Sequence, residues 1–339
     1  MSKKVLVTGV AGFIGSHLVK SLHALGYAVA ACDKVDPHSG LAGAADPADP
    51  FLARLRKDRL QACVTRLGVK YFQTDIGQAD AFASVVAQWQ PDTVVHLAAQ
   101  AGVRHSMQAP MDFVTPNLVG FSHVLDACHR LQVPRLLYAS SSSVYGMRSQ
   151  VPFVESDRTD QPQSFYAATK MANELMAYAY HSQYGMASLG MRFFTVYGPW
   201  GRTDMAPFMF AQNIRRGLPI KVFGEGKLRR DFTYIEDIVE AITGLVAHPS
   251  LVAGADIVNM GHQRPVEVNA FIDLLAGHLK RQPIIEYAPM QVADVALTCA
   301  SEDRLLGMLG SWRETPLDKG LEHFVQWLQD WDPLDRNKA

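Results

Sequence analysis

The chain has 339 residues, of which 48% are hydrophobic and 19% charged, so it can bury a sizeable core and is not intrinsically disordered. Lysine plus arginine number 32 against 33 aspartate plus glutamate; the net charge of −1 argues against general nucleic-acid binding but allows one local basic pocket. No run of about 18 apolar residues occurs, the start MSKKVLVTG lacks a signal-peptide pattern, and Cys32, Cys63, Cys128 and Cys299 form no C-x-x-C pair, so neither a membrane span nor a metal or disulfide framework is expected and a reducing cytoplasm is.

Residues 3–8 (KKVLVT) read as a buried strand. Phe13, Ile14, Leu18, Leu22 and Leu25 then recur at helical spacing over 12–25, with Gly26 placed to cap the helix. Residues 27–33 are a second strand, 36–50 a loop containing Pro and Gly, and 51–67 a helix with basic residues on one face. A strand at 69–75, a helix at 78–89, a strand at 93–99, a helix at about 111–131, a strand at 135–140, a helix from Phe165 to about Tyr184 and a strand at 187–194 continue the alternation. This rhythm predicts an α/β fold, a Rossmann-like doubly wound parallel sheet with helices on both faces. Past residue 195 glycines, prolines and aromatics become frequent, and helices are expected near 205–217, 235–247, 267–280 and 316–331, a smaller C-terminal α+β lobe. The expected division is 1–195 and 196–339, with the chain free to cross between the two. Open parallel sheets bind ligands outside the carboxyl ends of their strands, which places the candidate site in the cleft between sheet and lobe.

The first strand leads into Gly9-Val10-Ala11-Gly12-Phe13-Ile14-Gly15 and then the first helix. Glycines there permit a tight turn, close approach of the backbone to a pyrophosphate and close helix packing, and the helix start offers free N–H groups. The spacing is G-x-x-G-x-x-G, and the expectation is dinucleotide binding. Asp33 ends the second strand, where a carboxylate can accept hydrogen bonds from an adenosine ribose and repel a 2′-phosphate, favouring NAD over NADP. Asp75, followed by Ile76, ends the third strand and is placed to meet the adenine edge.

Tyr166 and Lys170 stand four apart at the start of a helix and so share a face. A free tyrosine has a pKa of about 10, and a neighbouring ammonium or a positive cofactor ring would favour its phenolate. Just past a strand stand Ser140, Ser141, Ser142 and Ser143, followed by Val144-Tyr145-Gly146. Packing alone does not explain four hydroxyls at the carboxyl end of a strand.

Glycine loop, Asp33, serine run and Y-x-x-x-K occur in that order at the ends of successive strands, and here the chain resembles the extended short-chain dehydrogenase/reductase family over nearly its whole length. The nearest members are nucleotide-sugar epimerases. Four stretches are similar to UDP-glucuronate 4-epimerases: His96 to Arg104 (HLAAQAGVR), Tyr138 to Gly146, Arg192 to Arg202 (RFFTVYGPWGR) and Arg229 to Asp237 (RRDFTYIED). The resemblance implies tightly bound, recycled NAD, contacted by Gly9, Gly12, Phe13, Ile14, Gly15, Asp33, Asp75, Ile76, Ala98, Ala99, Asn117, Tyr166 and Lys170. It makes Ser141 the catalytic hydroxyl, Tyr166 the general base and acid, and Lys170 the group that binds the nicotinamide ribose and tunes Tyr166. Asn117 matches a helix position that supports the lysine through water.

On the same ground Arg230 meets a UDP diphosphate and Phe223 packs the uracil. Arg104 and Arg202 are candidate cationic partners of the substrate, each also readable as an ordinary surface or helix-end charge. Ser142, Ser143 and Thr195 are expected to hold a sugar carboxylate, and Asp294 a ribose. Related decarboxylases and dehydratases carry a carboxylate beside the catalytic hydroxyl where this chain has Ser142 and Ser143, which favours an epimerase over a decarboxylase. A catalytically dead dinucleotide-binding regulator is the reading from another class, and the intact Ser141, Tyr166 and Lys170 oppose it. The segment Met290-Gln291-Val292-Ala293-Asp294 departs from the family, as does 36–50. The helices at 111–131 and 165–184 resemble a pair that forms a four-helix homodimer contact in relatives; Met171, Leu175 and Tyr178 would line it, or would face the sheet. His17 and His123 are expected to pack or to lie at the surface rather than to act as ligands, and Trp327 and Trp331 to sit in the core of the lobe.

Overall fold

The computed structural model describes residues 3–42, 50–248, 250, 252–290 and 294–333. Residues 43–49 of the 36–50 loop and 291–293 of the 290–294 segment lie outside the described residues. The strands in chain order are β1 (Lys4–Thr8), β2 (Ala28–Asp33), β3 (Lys70–Gln73), β4 (Thr93–His96), β5 (Leu136–Ser141), β6 (Ser188–Phe193), β7 (Thr195–Tyr197), β8 (Pro219–Phe223), β9 (Arg229–Tyr234), β10 (Ala255–Met260), β11 (Pro265–Glu267) and β12 (Ile284–Ala288). The α-helices are α1 (Phe13–Ala24), α2 (Pro50–Leu60), α3 (Ala81–Trp89), α4 (Val103–Gln108), α5 (Gly120–Arg130), α6 (Phe165–Tyr184), α7 (Ala206–Arg216), α8 (Ile235–Ala247), α9 (Val268–Leu279), α10 (Asp303–Leu309) and α11 (Leu317–Trp331).

Seven strands form one sheet in the order β3-β2-β1-β4-β5-β6-β10, every neighbouring pair parallel. This is the Rossmann-like doubly wound sheet that the alternation predicts. A central parallel strand is covered on both faces, so its side chains are apolar without a break. In β1, Val5 and Val7 pack with Leu18 and Leu22 of α1, while Leu6 between them packs with Phe82 of α3 and Phe121 and Val124 of α5. Each such side chain contributes roughly 1.5–3 kcal/mol by leaving water. Two smaller sheets follow: β7 and β11 flank β9, and β8 pairs with β12. The chain also returns to the large sheet, where β10 pairs with β6 along its full length.

Three details differ from the sequence reading. The helix expected over 111–131 is three pieces: a 3-10 turn at Pro110–Phe113, a wide π turn at Val114–Val119, and α5. Pro116 lies in the middle piece and has no N–H for an α-helical bond, so the ladder widens there. The six-residue α4 and seven-residue α10 were not foreseen, because such lengths show too little periodicity. The pair Trp327 and Trp331 is not confined to the lobe. The two rings stack, and Trp331 reaches α2, donating from Nε1 to Asp58 at 2.8 Å and lying edge-on to Phe51.

His17 and His123 do pack. His17 is half-buried against the Pro199 carbonyl at 3.0 Å, with its pKa pushed down to about 3 mainly by desolvation, and His123 bonds the Ile76 carbonyl at 2.8 Å. Among the described residues no helix is long and apolar enough to cross a membrane, and no cluster of three metal-ligating side chains occurs. All four cysteines are buried and unpaired.

Candidate active site

The glycine loop joins β1 to α1 at the carboxyl end of the sheet. Gly9 has φ +76°, the left-handed region that glycine enters without strain. A Cβ on Gly9 would lie 2.6 Å from the Ala98 nitrogen, and one on Gly15 would lie 2.3 Å from the Gly9 carbonyl oxygen. Helix α1 therefore sits directly against the loop, and Gly12 at its start supplies no side-chain cap, so its first N–H groups stay available to an anion. Ala98 itself is held by the Thr8 hydroxyl, which accepts from its N–H at 3.2 Å.

Asp33 lies at the end of β2 beside this loop. One carboxylate oxygen accepts from the Ala11 N–H at 2.9 Å and the other from Val35 at 3.2 Å. Burial raises its pKa, and those two N–H groups and Arg56 oppose the rise. Asp75 has one oxygen on the Gly77 N–H at 2.9 Å, closing the turn that carries the buried Ile76.

Ser141, Tyr166 and Lys170 meet at the ends of β5 and α6. Ser164 caps α6 by accepting from the Ala167 N–H, which fixes where the helix starts and so the Tyr166 face. Ser141 ends β5 and accepts from the Ser143 N–H at 3.2 Å, opening the short turn Ser142–Tyr145. Lys170 is only 3% exposed and donates to the Ala139 carbonyl at 2.9 Å. Burial pushes its pKa down to about 8, with Glu174 acting in the opposite sense. Burial pushes the Tyr166 phenol up, while Arg202 and a hydrogen bond with Ser141 pull it back. Arg202 thus adds a cation beside Tyr166 that the sequence reading had not linked to it.

Arg202 is not a free charge. It forms a two-pronged pair with Asp204, at 2.9 and 2.6 Å. Asn117 does not bond Lys170 directly. Its side chain clasps both the N–H and the carbonyl of Gln100, at 2.8 and 3.0 Å, and donates to Thr169 at 3.0 Å. The wide turn at Val114–Val119 sets this clasp beside α6.

Farther out, Arg104 of α4 stands over the Phe223 ring with its guanidinium 4.7 Å from the centroid, spanning from the large sheet to the lobe. Arg230 lies within electrostatic reach of both Arg104 and Asp294. Thr195 opens β7 next to Phe194, whose ring lies 6.3 Å from that of Tyr145 at the end of the serine turn. Phe13 is buried edge-on to His17, with Ile14 half-buried beside it, and Ala99 is exposed just past β4.

Two residues that the sequence reading missed shape this cleft. Asp204 is one. The other is Arg59 of α2, buried to 3% exposure, which donates to the carbonyls of Ala11 in the glycine loop and of Trp200 and Gly201 in the turn before Arg202. Trp200 has φ +61°, a strained value for an aromatic residue, and Arg59 holds that turn closed. The basic face of 51–67 was legible, but not which arginine turns inward.

A parallel sheet in this order, with a glycine turn at β1 and a carboxylate at β2, is a dinucleotide-binding fold, and it brings a hydroxyl, a phenol and an ammonium together at β5 and α6. The chain belongs to the NAD dependent epimerase/dehydratase family, whose model matches residues 5–261. It is 38% identical to Protein CapI of Staphylococcus aureus over 97% of this chain and 99% of that one, and 40% identical to UDP-glucuronate 4-epimerase 3 of Arabidopsis thaliana over 95% and 76%. Among solved structures, UDP-glucuronic acid 4-epimerase from Bacillus cereus in complex with UDP-glucuronic acid and NAD superposes with a TM-score of 0.87 at 26% identity, covering 97% of this chain and all of that one. MoeE5 in complex with UDP-glucuronic acid and NAD gives 0.82 at 30%, with coverage of 97% and 100%.

Proposed function

We propose that the protein interconverts UDP-glucuronate and UDP-galacturonate by oxidation and re-reduction at C4. The observation that carries the choice of substrate is the turn after Ser141. Ser142 and Ser143 place two neutral hydroxyls beside the catalytic one, with no carboxylate side chain among them. A 4-keto glucuronate is a β-keto acid and loses carbon dioxide readily, so an epimerase must hold its carboxylate without an acid at hand. Ser142, Ser143 and Thr195 do this in our reading. Arg202 supplies positive potential next to Tyr166, and Arg104, Phe223, Arg230 and Asp294 take the nucleotide.

The residues fit NAD: a Cβ at any of Gly9, Gly12 or Gly15 would collide with backbone, so the loop is shaped for close approach, and Asp33 suits an unphosphorylated ribose. Bound there, NAD supplies the acceptor and donor of the C4 hydride. Ile76, Ala98, Ala99 and Asn117 line its course toward Lys170. Tyr166 takes the proton of the 4-hydroxyl and returns it to the same oxygen once the 4-keto sugar has rotated to present the opposite face of C4 for re-reduction, and Ser141 hydrogen-bonds that oxygen. The bound reactants need no diffusion between the two half-reactions, which provides much of the rate.

NMR of the products from UDP-glucuronate tests this. UDP-galacturonate is the expected product, whereas a UDP-pentose and carbon dioxide would replace the epimerase reading by a decarboxylase. In the same assay Ser143→Glu is expected to divert a measurable share of turnover to a UDP-pentose or a dead-end ketone. An unchanged product spectrum would remove the carboxylate-anchor role.

We also propose a homodimer through α5 and α6. Leu175 and Tyr178 are 67% and 63% exposed, while Met171 turns inward against Val144, Tyr145 and Phe153 and is no part of the face. Light scattering should give twice the chain mass, falling to the chain mass in the Leu175→Lys, Tyr178→Lys double variant.

A further inference from the structure

Behind the serine run lies a charged cluster that the mechanism above does not use. Glu174 stands one turn after Lys170 on α6, and its side chain is 10% exposed. Its carboxylate receives both prongs of Arg192 from β6, Nε to Oε1 at 2.9 Å and Nη2 to Oε2 at 2.7 Å. The Ser140 hydroxyl donates to the same Oε1. Ser140 and Arg192 are opposite each other in the β5–β6 register, so one carboxylate ties α6 to two adjacent strands. Ser140 lies between Ala139, whose carbonyl receives the Lys170 ammonium, and Ser141. Arg192 goes on to the Glu155 carbonyl at 3.2 Å and lies over the Tyr145 ring, 4.7 Å from its centroid, at the far end of the serine turn.

The geometry points to Glu174 as the positioning residue of the site: it holds the Lys170 ammonium protonated and sets the end of β5 that presents Ser141. This rests on reading Tyr166, Lys170 and Ser141 as the catalytic groups. A buried ammonium with only a carbonyl for a partner loses its proton easily. Among the described residues the one carboxylate acting on Lys170 is Glu174. The other groups facing the pair are silent near neutrality. His96, at the end of β4, has its pKa pushed down to about 3 by burial and by Lys170, Tyr138 on β5 is raised well above its ordinary value by burial, and Arg192 stays charged. Burial likewise raises Tyr145 and Tyr166, so among the groups named here Lys170, at about 8, is the one that changes charge just above neutrality.

The sign follows. Lys170 carries its charge below its own pKa and loses it as pH rises through about 8, so activity should fall on the alkaline side. Glu174→Gln keeps the shape but removes the attraction and leaves Arg192 facing the ammonium. The alkaline limb then moves to lower pH, and each unit of movement cuts the protonated fraction above the midpoint about tenfold. The test is an NMR titration of the NAD-loaded protein with 13Cε-labelled lysines, the Lys170 signal being assigned by its loss in Lys170→Met, alongside kcat against pH. The double variant Glu174→Gln, Arg192→Gln leaves no orphan charge and serves if the single one does not fold. A Lys170 midpoint below that of the parent, with the kcat limb moved by the same amount, supports the assignment. An unmoved midpoint in whichever variant folds overturns it. The NMR arm needs no substrate, so absence of epimerisation in the parent protein would count against the proposed function and leave this test standing.

Discussion

Tyr166→Phe is expected to lower kcat by about 10² to 10⁴, the range by which a positioned acid–base group accelerates a reaction. The change removes one oxygen. The ring stays edge-on to Phe113, and the α6 cap at Ser164 is untouched, so thermal stability should stay close to that of the parent. NAD content should also persist, because the glycine loop, Asp33 and Lys170 remain. The comparison to make is single-turnover formation of UDP-galacturonate against bound NAD per chain. Activity equal to the parent's would take Tyr166 out of the mechanism. Burial raises the phenol in the free protein, so it gives up its proton only when something offsets that rise. Arg202 and Ser141 do so in part, and the positive ring of oxidised NAD adds to them when bound.

Gly15→Ala is the second change with a large expected effect. Its new methyl would lie 2.3 Å from the Gly9 carbonyl oxygen and 2.9 Å from the Gly9 carbonyl carbon, both backbone atoms that cannot rotate away. Helix α1 must slide off the loop. Overpacking of this kind costs about 1–3 kcal/mol. The same slide moves the N–H groups that in our proposal would face the NAD diphosphate, so NAD affinity should drop about tenfold, one factor of ten for each 1.4 kcal/mol lost. Calorimetric titration with NAD and a melting curve read the two effects separately. Affinity and melting temperature both equal to the parent's would show that the loop is not the cofactor cradle. Gly26 offers a contrast: nothing lies within 4 Å of a Cβ there, and its φ of +81° alone penalises substitution.

These two positions also show what the chain makes legible. Gly15 and Asp33 stand at fixed places relative to β1 and β2, so local spacing reveals them. Tyr166 and Lys170 share a helix face, and α6 spans the residues foretold for it, since a capping serine and a closing Gly185 bound it. Arg59 and Glu174 carry no such mark. Each acts on groups far away in the chain, Arg59 on residues 48, 141 and 142 positions distant and Glu174 on ones 18 and 34 away. The role of Arg59 and the hold of Glu174 on β5 and β6 arise only once the sheet brings those segments together, although Glu174 stands one turn after Lys170. The pairing of Arg202 with Asp204 is local, yet a charged residue two positions away in a loop is ordinary sequence. The helix over 111–131 was read from apolar spacing, and Pro116 redirects it without disturbing that spacing.

The return of β10 to the large sheet bears on how the chain folds as it is made. Strand β6 ends at Phe193, and its outer neighbour begins at Ala255, with β7, α7, β8, β9 and α8 between them. At synthesis rates of about 5–20 residues per second, the β6 edge therefore waits several seconds, its N–H and C=O groups unpaired, while the lobe emerges. Such an open edge recruits foreign strands. The first six strands of the nucleotide-binding sheet are made well before it is closed, and its last seal is supplied by sequence that follows the first part of the lobe.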